Sequence, residues 1–491
     1  ILVSAATPQL AQFRPQEVGN VMWAFARMGH VAPALFEAAA HAIVSRIDEY
    51  EGQSASTMLW AFATANHPAP RVFDAAARSL TPRLASLQPQ SLSMIVWAFA
   101  TVGHAPHPLI PALAKEAAPR IDDFSCAEYV NLMWGMAILY PSCDFMPTEV
   151  ATLLDAAATV VRKRLGELTP QGFCNLAWAF SSVNYLTPRA VLNEIAEATL
   201  PRLSEFNEQS LSVLTLSMSR AGIAEPAFLD AVSRAAVPLM QKFTDDGLCT
   251  LAWAFAAADH PAPALFNRAF VRRIDTIGMS TDDIGSLAKL HQYQLWCCER
   301  SDQNASLSPA LQARCIDAFK QSTKRPTSSF QAQVGKTLSA LGTTPKEEVL
   351  LDSGYTLDYV IDWNGVRVGV EVDGPQHFQG NRARGSTLLK QRQLAHLGWQ
   401  VVSVPYFVWY YMTPSEQTEY LSTLLHTIQG VGARNRAEPG GEGHISTVVS
   451  GDDGTTNSLC GDLGGDGGSI RTASGNAHGI HRTTTMSANE T

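Results

Sequence analysis

A tryptophan-anchored motif recurs through the first half of the chain and constrains its fold more than any other feature. WAFA stands at Trp23, Trp60, Trp97 and Trp253, WGMA at Trp134 and WAFS at Trp178, while LSMS at Leu216 fills the one gap. Successive anchors lie 37, 37, 37, 44, 38 and 37 residues apart, and Leu290 lies 37 beyond Trp253. A fixed period of this length is the mark of a solenoid, in which one unit cannot bury its apolar face alone and must stack on the next.

Each unit repeats one internal pattern. In the third, Leu92, Ile95, Val96 and Phe99 fall at helical spacing, a Gly-His break follows, and prolines come next. That order reads helix, turn, helix. Pro33, Pro70, Pro188, Pro226 and Pro263 each fall ten residues after the anchor, where a fixed φ suits the first turn of a second helix. The second helix is expected to end in a recurring Arg-Leu/Ile signature, at Arg46, Arg83, Arg120, Arg164 and Arg202. The tryptophans read as the buried seam between units rather than as base-stacking platforms. His30, His67, His104 and His260, seven residues after the anchor, read as helix-end groups and not as metal ligands. The periodic arginines carry two readings. One is a ladder of cations matched to a nucleic-acid backbone; the other is that they satisfy helix-end carbonyls or pair with neighbouring acids.

Composition narrows the choices. With 491 residues, 46% of them hydrophobic, the chain can build two or three real cores. Its net charge of −9 argues against a uniformly basic nucleic-acid binder. Residues 1 to 277 hold 19 Lys and Arg against 24 Asp and Glu, so specific rows rather than a broad basic groove must meet any phosphate. The eight cysteines form no CxxC pair, which signals neither a zinc site nor a disulfide framework. No apolar run reaches the roughly 20 residues of a membrane span, so no membrane insertion is expected. The chain opens at Ile1 rather than methionine, and the lack of a visible targeting segment therefore carries no information.

From Lys289 to Lys336 the periodicity decays, and seven basic residues, Lys324 and Arg325 among them, stand against three acids. Phosphate contact and a solvated helix face both fit such a segment. After Gly430 runs such as GGEG and GDLGGDGG predict a disordered tail.

Between them lies a different pattern. TLDYVIDWNGVRVGVEVDG has two alternating runs around Asn364-Gly365, a strong hairpin signal. A two-residue loop pairs Trp363 with Val366 and sets Asp358 opposite Glu371. Alternation then places Asp358, Glu371 and Asp373 on one face. Like charges so close repel unless a proton or a cation intervenes, which makes the three acids a candidate Mg²⁺ site and a candidate catalytic cluster for phosphodiester attack. Residues 386 to 397 read as a helix stopped by Gly398, and Lys390, Arg392 and His377 are the candidate positive groups there.

The unit length and the Pro-Gln starts at Pro15, Pro89 and Pro170 resemble the octotricopeptide repeats of algal organellar proteins, and also the leucine-rich region of the FAST-kinase-like family. LDYVID, VGVEVDGPQHF, TLLKQRQLAHLGW and VVSVPYFVWYYM together resemble a RAP domain. The resemblance implies an N-terminal α-solenoid over residues 14–295, a basic linker over 296–345, a small α/β restriction-endonuclease-like RAP domain over 346–428 and a disordered tail over 429–491. Nucleases of that fold use an Asp followed by an acid-x-Lys. Asp358 and Glu371 match the two acids, but Asp373 stands where the lysine would be, leaving Lys390 to reach in from the helix. The resemblance further implies binding of single-stranded organellar RNA, in company with other RNA-processing proteins, in the mitochondrial matrix or chloroplast stroma. Arg46, Arg83, Arg120, Arg164, Arg202, Lys324, Arg325, His377 and Arg392 are the candidate RNA contacts. A Mg-dependent endoribonuclease and a protein-interaction scaffold are the competing readings.

Overall fold

Repeated helix pairs occupy the span where the period predicts them. The structure is a computed structural model and describes residues 3, 6–30, 32–141, 146–183, 185, 188–322 and 327–434. The pairs are α1 (Pro15–Arg27) with α2 (Pro33–Val44), α3 (Gly52–Thr64) with α4 (Pro70–Leu80), and α5 (Pro89–Val102) with α6 (Leu109–Ala117). They continue as α7 (Cys126–Leu139) with α8 (Thr148–Arg164), α9 (Pro170–Ser182) with α10 (Pro188–Thr199), and α11 (Glu208–Arg220) with α12 (Pro226–Ala236). The last are α13 (Asp245–Ala257) with α14 (Arg268–Ser280), and α15 (Ile284–Glu299) with α16 (Pro309–Ser322). The expected boundary at residue 295 thus falls inside α15, and residues of the expected linker build the final pair; their polar surface hides the period without removing the apolar stripe of Leu311, Cys315 and Phe319.

The first helix of each unit packs on the first helix of the next, which is why these helices are buried on more than one side. In α13 every residue from Gly247 to Ala257 is buried. The turn after five of the first helices is stereotyped. Gly29, Asn66, Gly103, Gly222 and Asp259, each six residues past the anchor, take the left-handed conformation with φ between 50° and 69°. The next residue then donates its backbone N–H to the carbonyl two residues after the anchor, as His67 does to Phe62 at 3.1 Å. This closes the helix end. Pro33, Pro70 and Pro226 open second helices as expected. Pro263 does not: it lies in a turn, and α14 begins at Arg268 behind an Asn267 side-chain cap.

Beyond α17 (Ser329–Ala340) a four-stranded sheet forms from β1 (Lys346–Leu350), β2 (Thr356–Trp363), β3 (Val366–Asp373) and β6 (Gln400–Pro405), in the order β1-β2-β3-β6. A short ladder of β4 (Phe378–Gln379) and β5 (Arg382–Ala383) precedes α18 (Gly385–His396), the crossover that makes β6 parallel to β3. The hairpin register is the expected one, with Trp363 opposite Val366 and Tyr359 opposite Val370. Asn364 and Gly365 both have positive φ, 53° and 82°, as a two-residue turn of the right twist demands. β3 is buried on both faces rather than one. α17 lies against the Tyr359 side, and α18 covers the other through Lys390.

The helix pairs and the sheet module belong to one compact unit, residues 1–418; residues 419–491 form a second. A helix over Pro414–Arg434 extends past the expected tail boundary at 429, and residues 435–491 of that tail lie outside the described residues. No helix among the described residues is long and apolar enough to cross a membrane.

Candidate functional site

The three acids of the sheet module are already occupied. Asp358 Oδ2 accepts the backbone N–H of Val372 at 2.6 Å, where the β2–β3 ladder ends. Lys390 Nζ donates to Glu371 Oε2 at 2.6 Å and to the Thr356 carbonyl at 2.9 Å. Asp373 accepts the Ser403 hydroxyl from the parallel strand, and its other oxygen lies 3.3 Å from His377 Nδ1. His377 Nδ1 lies also 3.3 Å from the Thr387 hydroxyl at the start of α18. Glu371 and Asp373 are 5% and 2% exposed, so the cluster is a sealed feature of the strand rather than an open rim.

Burial dominates the titration of Glu371 and Asp358. It pushes the Glu371 carboxyl up to about 8, against the pull of the Lys390 ammonium and with the help of Asp358 and Asp373 nearby. Asp358 is also raised by burial, partly offset by the Val372 N–H. Among the described residues no group of three or more His, Cys, Asp or Glu side chains is placed to hold a metal ion. The expected Mg²⁺ site of Asp358, Glu371 and Asp373 is thus not preformed among the described residues. Each acid meets a backbone amide, a lysine, a hydroxyl or an imidazole of its own chain, and Glu371 Oε1 is buried without a partner. Lys390 does reach in from the helix, yet it neutralises Glu371 instead of facing a substrate.

The periodic arginines also turn inward. Arg202 donates to the Leu168 carbonyl at 2.9 Å and to Glu205 at 2.8 Å; Arg164 to the Phe124 carbonyl at 2.7 Å and to Glu167 at 2.8 Å. Arg120 reaches the Leu87 carbonyl at 2.9 Å and Arg46 the Phe13 carbonyl at 3.1 Å. Arg83 donates to the Ser79 carbonyl at 2.9 Å. The expected phosphate ladder is thus corrected to a set of stitches. Four of these arginines tie their unit to the unit before, because the carbonyl that leaves each 3₁₀ turn has no partner in its own helix. Arg273, followed by Ile274 as the signature demands, continues the pattern to the Phe243 carbonyl at 2.7 Å, a stitch that sequence reasoning left out.

Arg392 likewise turns inward. It binds Glu299 at 2.8 Å and the Ala256 carbonyl at 2.6 Å, joining α18 to α13 and α15. Lys324 and Arg325 lie outside the described residues. His30, His67, His104 and His260 pack on the phenylalanine five residues earlier, and His104 and His260 bond to Asp74 and Asp230 at 2.9 and 2.8 Å, as helix-end groups do.

Sequence reasoning missed the seat of the sheet module on the repeats. Leu389 of α18 packs on Trp253, Ala254 and Ala257, with Leu216 alongside, so it covers two anchor positions. Arg384 is buried and donates to the Phe378, Ser181 and Ser182 carbonyls, at 2.8, 3.1 and 3.1 Å, closing the C-terminal end of α9. Gln379 donates to the Phe180 carbonyl at 2.7 Å. A buried chain runs from Trp253 Nε1 to Gln292 at 2.8 Å, from Gln292 to the Tyr355 hydroxyl at 2.9 Å, and from that hydroxyl to Gln393 at 2.7 Å. No local pattern announces such contacts, since apart from the Arg384–Phe378 bond each joins residues from 38 to more than 200 positions apart.

The anchors themselves form a continuous ladder. Indole centroids are 6.5 Å apart for Trp23 and Trp60, 6.2 Å for Trp60 and Trp97, 6.3 Å for Trp97 and Trp134, and 6.4 Å for Trp134 and Trp178. They fill the seam as expected, although only Trp60 and Trp253 are fully buried and Trp23 is 39% exposed.

Comparison with known proteins matches these regions separately. The RAP domain model matches residues 370–424, and the model of FAST kinase-like protein, subdomain 1, matches residues 55–116. The chain is 34% identical over 140 residues to a RAP domain-containing protein, chloroplastic, of Oryza sativa subsp. japonica. That alignment covers 28% of this chain, and the chain spans about a fifth (20%) of the length of this relative. Helical repeats stitched unit to unit and a hairpin-and-crossover module thus coincide with the regions similar to FAST kinase-like protein, subdomain 1, and to the RAP domain.

Proposed function

We propose that the chain is an RNA-binding factor of organellar RNA metabolism, serving the processing, stability or maturation of a messenger or ribosomal RNA, and that its RAP module holds the strand without cutting it. The observation that carries this reading is the buried seat of the module on the repeats, where Arg384, Gln379 and Leu389 fix it against α9, α11 and α13. A module held this way offers one body with the repeats to a single ligand. The bonds that Asp358, Glu371 and Asp373 make to Val372, Lys390 and Ser403 support a non-catalytic role, because each acid already spends an oxygen on its own chain. The RAP and FAST-kinase-like matches support RNA as the ligand, and the chloroplastic name of the rice relative supports the plastid stroma over the mitochondrial matrix.

The test uses the full chain and labelled single-stranded RNA. Retention at low salt, with no cleavage in Mg²⁺ or Mn²⁺, is expected. Cleavage that disappears in the Glu371→Ala, Asp373→Ala double variant while binding persists would establish the endonuclease instead. Failure to retain RNA at low ionic strength, together with protein partners that survive ribonuclease, would establish the scaffold.

A further inference from the structure

Two arginines meet at the seam between the repeats and the sheet module, and one of them is nearly idle in the fold. Arg384 spends its guanidinium on the Phe378, Ser181 and Ser182 carbonyls. Arg220, the last residue of α11, is half-buried and makes one hydrogen bond among the described residues, to the Ser182 hydroxyl at 3.1 Å. A guanidinium carries five N–H donors, so most of those on Arg220 are unspent. Burial alone shifts its pKa, and shifts it down, which means that no carboxylate among the described residues stands close enough to hold the charge.

The surroundings add to the positive charge. Both guanidinium groups converge on Ser182, Arg384 on its carbonyl and Arg220 on its hydroxyl. Burial, and after it the charge of Arg220, lower the pKa of Arg384 to about 10. α18 starts directly after Arg384 with no side-chain cap. A β-carbon on its first residue, Gly385, would stand 3.5 Å from Arg220 Cα, so the positive end of the helix dipole lies at the same place. The neighbouring Ser219 is 1% exposed, and its hydroxyl is buried without a partner. Buried hydroxyls are as a rule satisfied, and one left over beside unspent guanidinium donors marks a place for a ligand.

We infer that this seam, built by Ser219 and Arg220 from the repeats and by Arg384 with the start of α18 from the sheet module, is a receptor for a phosphate monoester. The Arg220 fork pairs with two phosphate oxygens at once, and the Ser219 hydroxyl donates to a third. A monoester carries a charge near −2 at neutral pH, which answers two arginines and a helix start, whereas an internal phosphodiester brings a single charge. The balance therefore selects a terminal or a small-molecule phosphate over the phosphates within a strand. Its sources are the 5′ end of an RNA and phosphate in solution. Because the donors come from both sides of the seam, occupancy ties the sheet module to the repeats. The site stands whether or not the repeats hold RNA.

The experiment melts the full chain and its Arg220→Gln and Arg220→Lys variants across a series of inorganic phosphate at constant ionic strength. The wild-type melting temperature is expected to rise with phosphate, as linkage requires of a ligand that binds only the folded chain. Arg220→Gln should show no rise, and without phosphate it should melt at or above the wild type, because a like charge beside Arg384 is gone. Arg220→Lys, which keeps the charge without the fork, should retain a smaller rise. A second arm measures binding of one short RNA carrying either a 5′-phosphate or a 5′-hydroxyl. A preference of about tenfold for the phosphate, the effect of one charge-assisted hydrogen bond, that disappears in Arg220→Gln identifies the RNA end as the source. Equal binding of the two RNAs, with the Arg220-dependent melting shift intact, identifies phosphate in solution. A phosphate rise that is the same in Arg220→Gln, or no effect of phosphate in either arm, overturns the site. The RNA reading is judged separately, by whether either RNA is retained at all.

Discussion

Gly385 lies so close to Ser219 that a β-carbon placed on it would stand 1.9 Å from the Ser219 carbonyl oxygen. Backbone meets backbone here, where α18 starts beside the end of α11, and neither can yield without moving a helix. The absence of a side chain at residue 385 is thus a condition for seating the RAP module on the repeats. Gly385→Ala is expected to destabilise the chain by about 2–4 kcal/mol, the range for overpacking and lost buried contacts. Limited proteolysis should cut between the repeats and the sheet module in this variant and not in the wild type. A variant with wild-type protection would show that the helices part easily.

Tyr355 should prove a second determinant of the same seat. Its buried hydroxyl accepts from Gln292 and donates to Gln393. Tyr355→Phe leaves both amides short of a partner in a closed site and is expected to cost about 1–3 kcal/mol in chemical denaturation. The Gln292→Ala, Tyr355→Phe double variant should lose less than the sum of the single losses, as coupled neighbours do.

The arginine stitches separate stability from binding. Arg202→Ala removes one charged hydrogen bond to the Leu168 carbonyl and is expected to cost about 1–2 kcal/mol. Its salt slope for RNA should match the wild type. Were Arg202 on the phosphate backbone, the slope would fall by about one unit and the melting curve would stay put.

Glu371 predicts a pH signature. Its folded-state pKa is raised to about 8 from the ordinary 4.5, so between those values the folded chain binds more protons than the unfolded one. Stability from this group is complete below about 4.5 and drains away as pH rises through about 8. Glu371→Gln, which keeps the shape and an acceptor for Lys390, should therefore melt higher than the wild type at pH 8.5 and close to it at pH 4.5. Equal melting temperatures at both pH values would mean that the Lys390 pair holds the carboxylate ionised throughout.

Local chemistry set the repeats before any packing was known. The 37-residue period, the prolines at helix starts and the Asn364-Gly365 turn are local signals, so Trp23 to Trp253 and the β2–β3 register were legible from spacing alone. Pro263 shows the limit of that reasoning, since Asn267 offered a better cap a few residues later. The roles of the charged groups were not legible. Whether Arg164 meets a phosphate or the Phe124 carbonyl, and whether Asp373 meets a metal or Ser403, depends on which polar atoms distant segments bring within 3 Å. A buried charge takes the first partner that relieves its desolvation. That partner is chosen by tertiary contact, so the sequence determined where the cations and acids stand along the chain, and only the folded structure decided that they face inward.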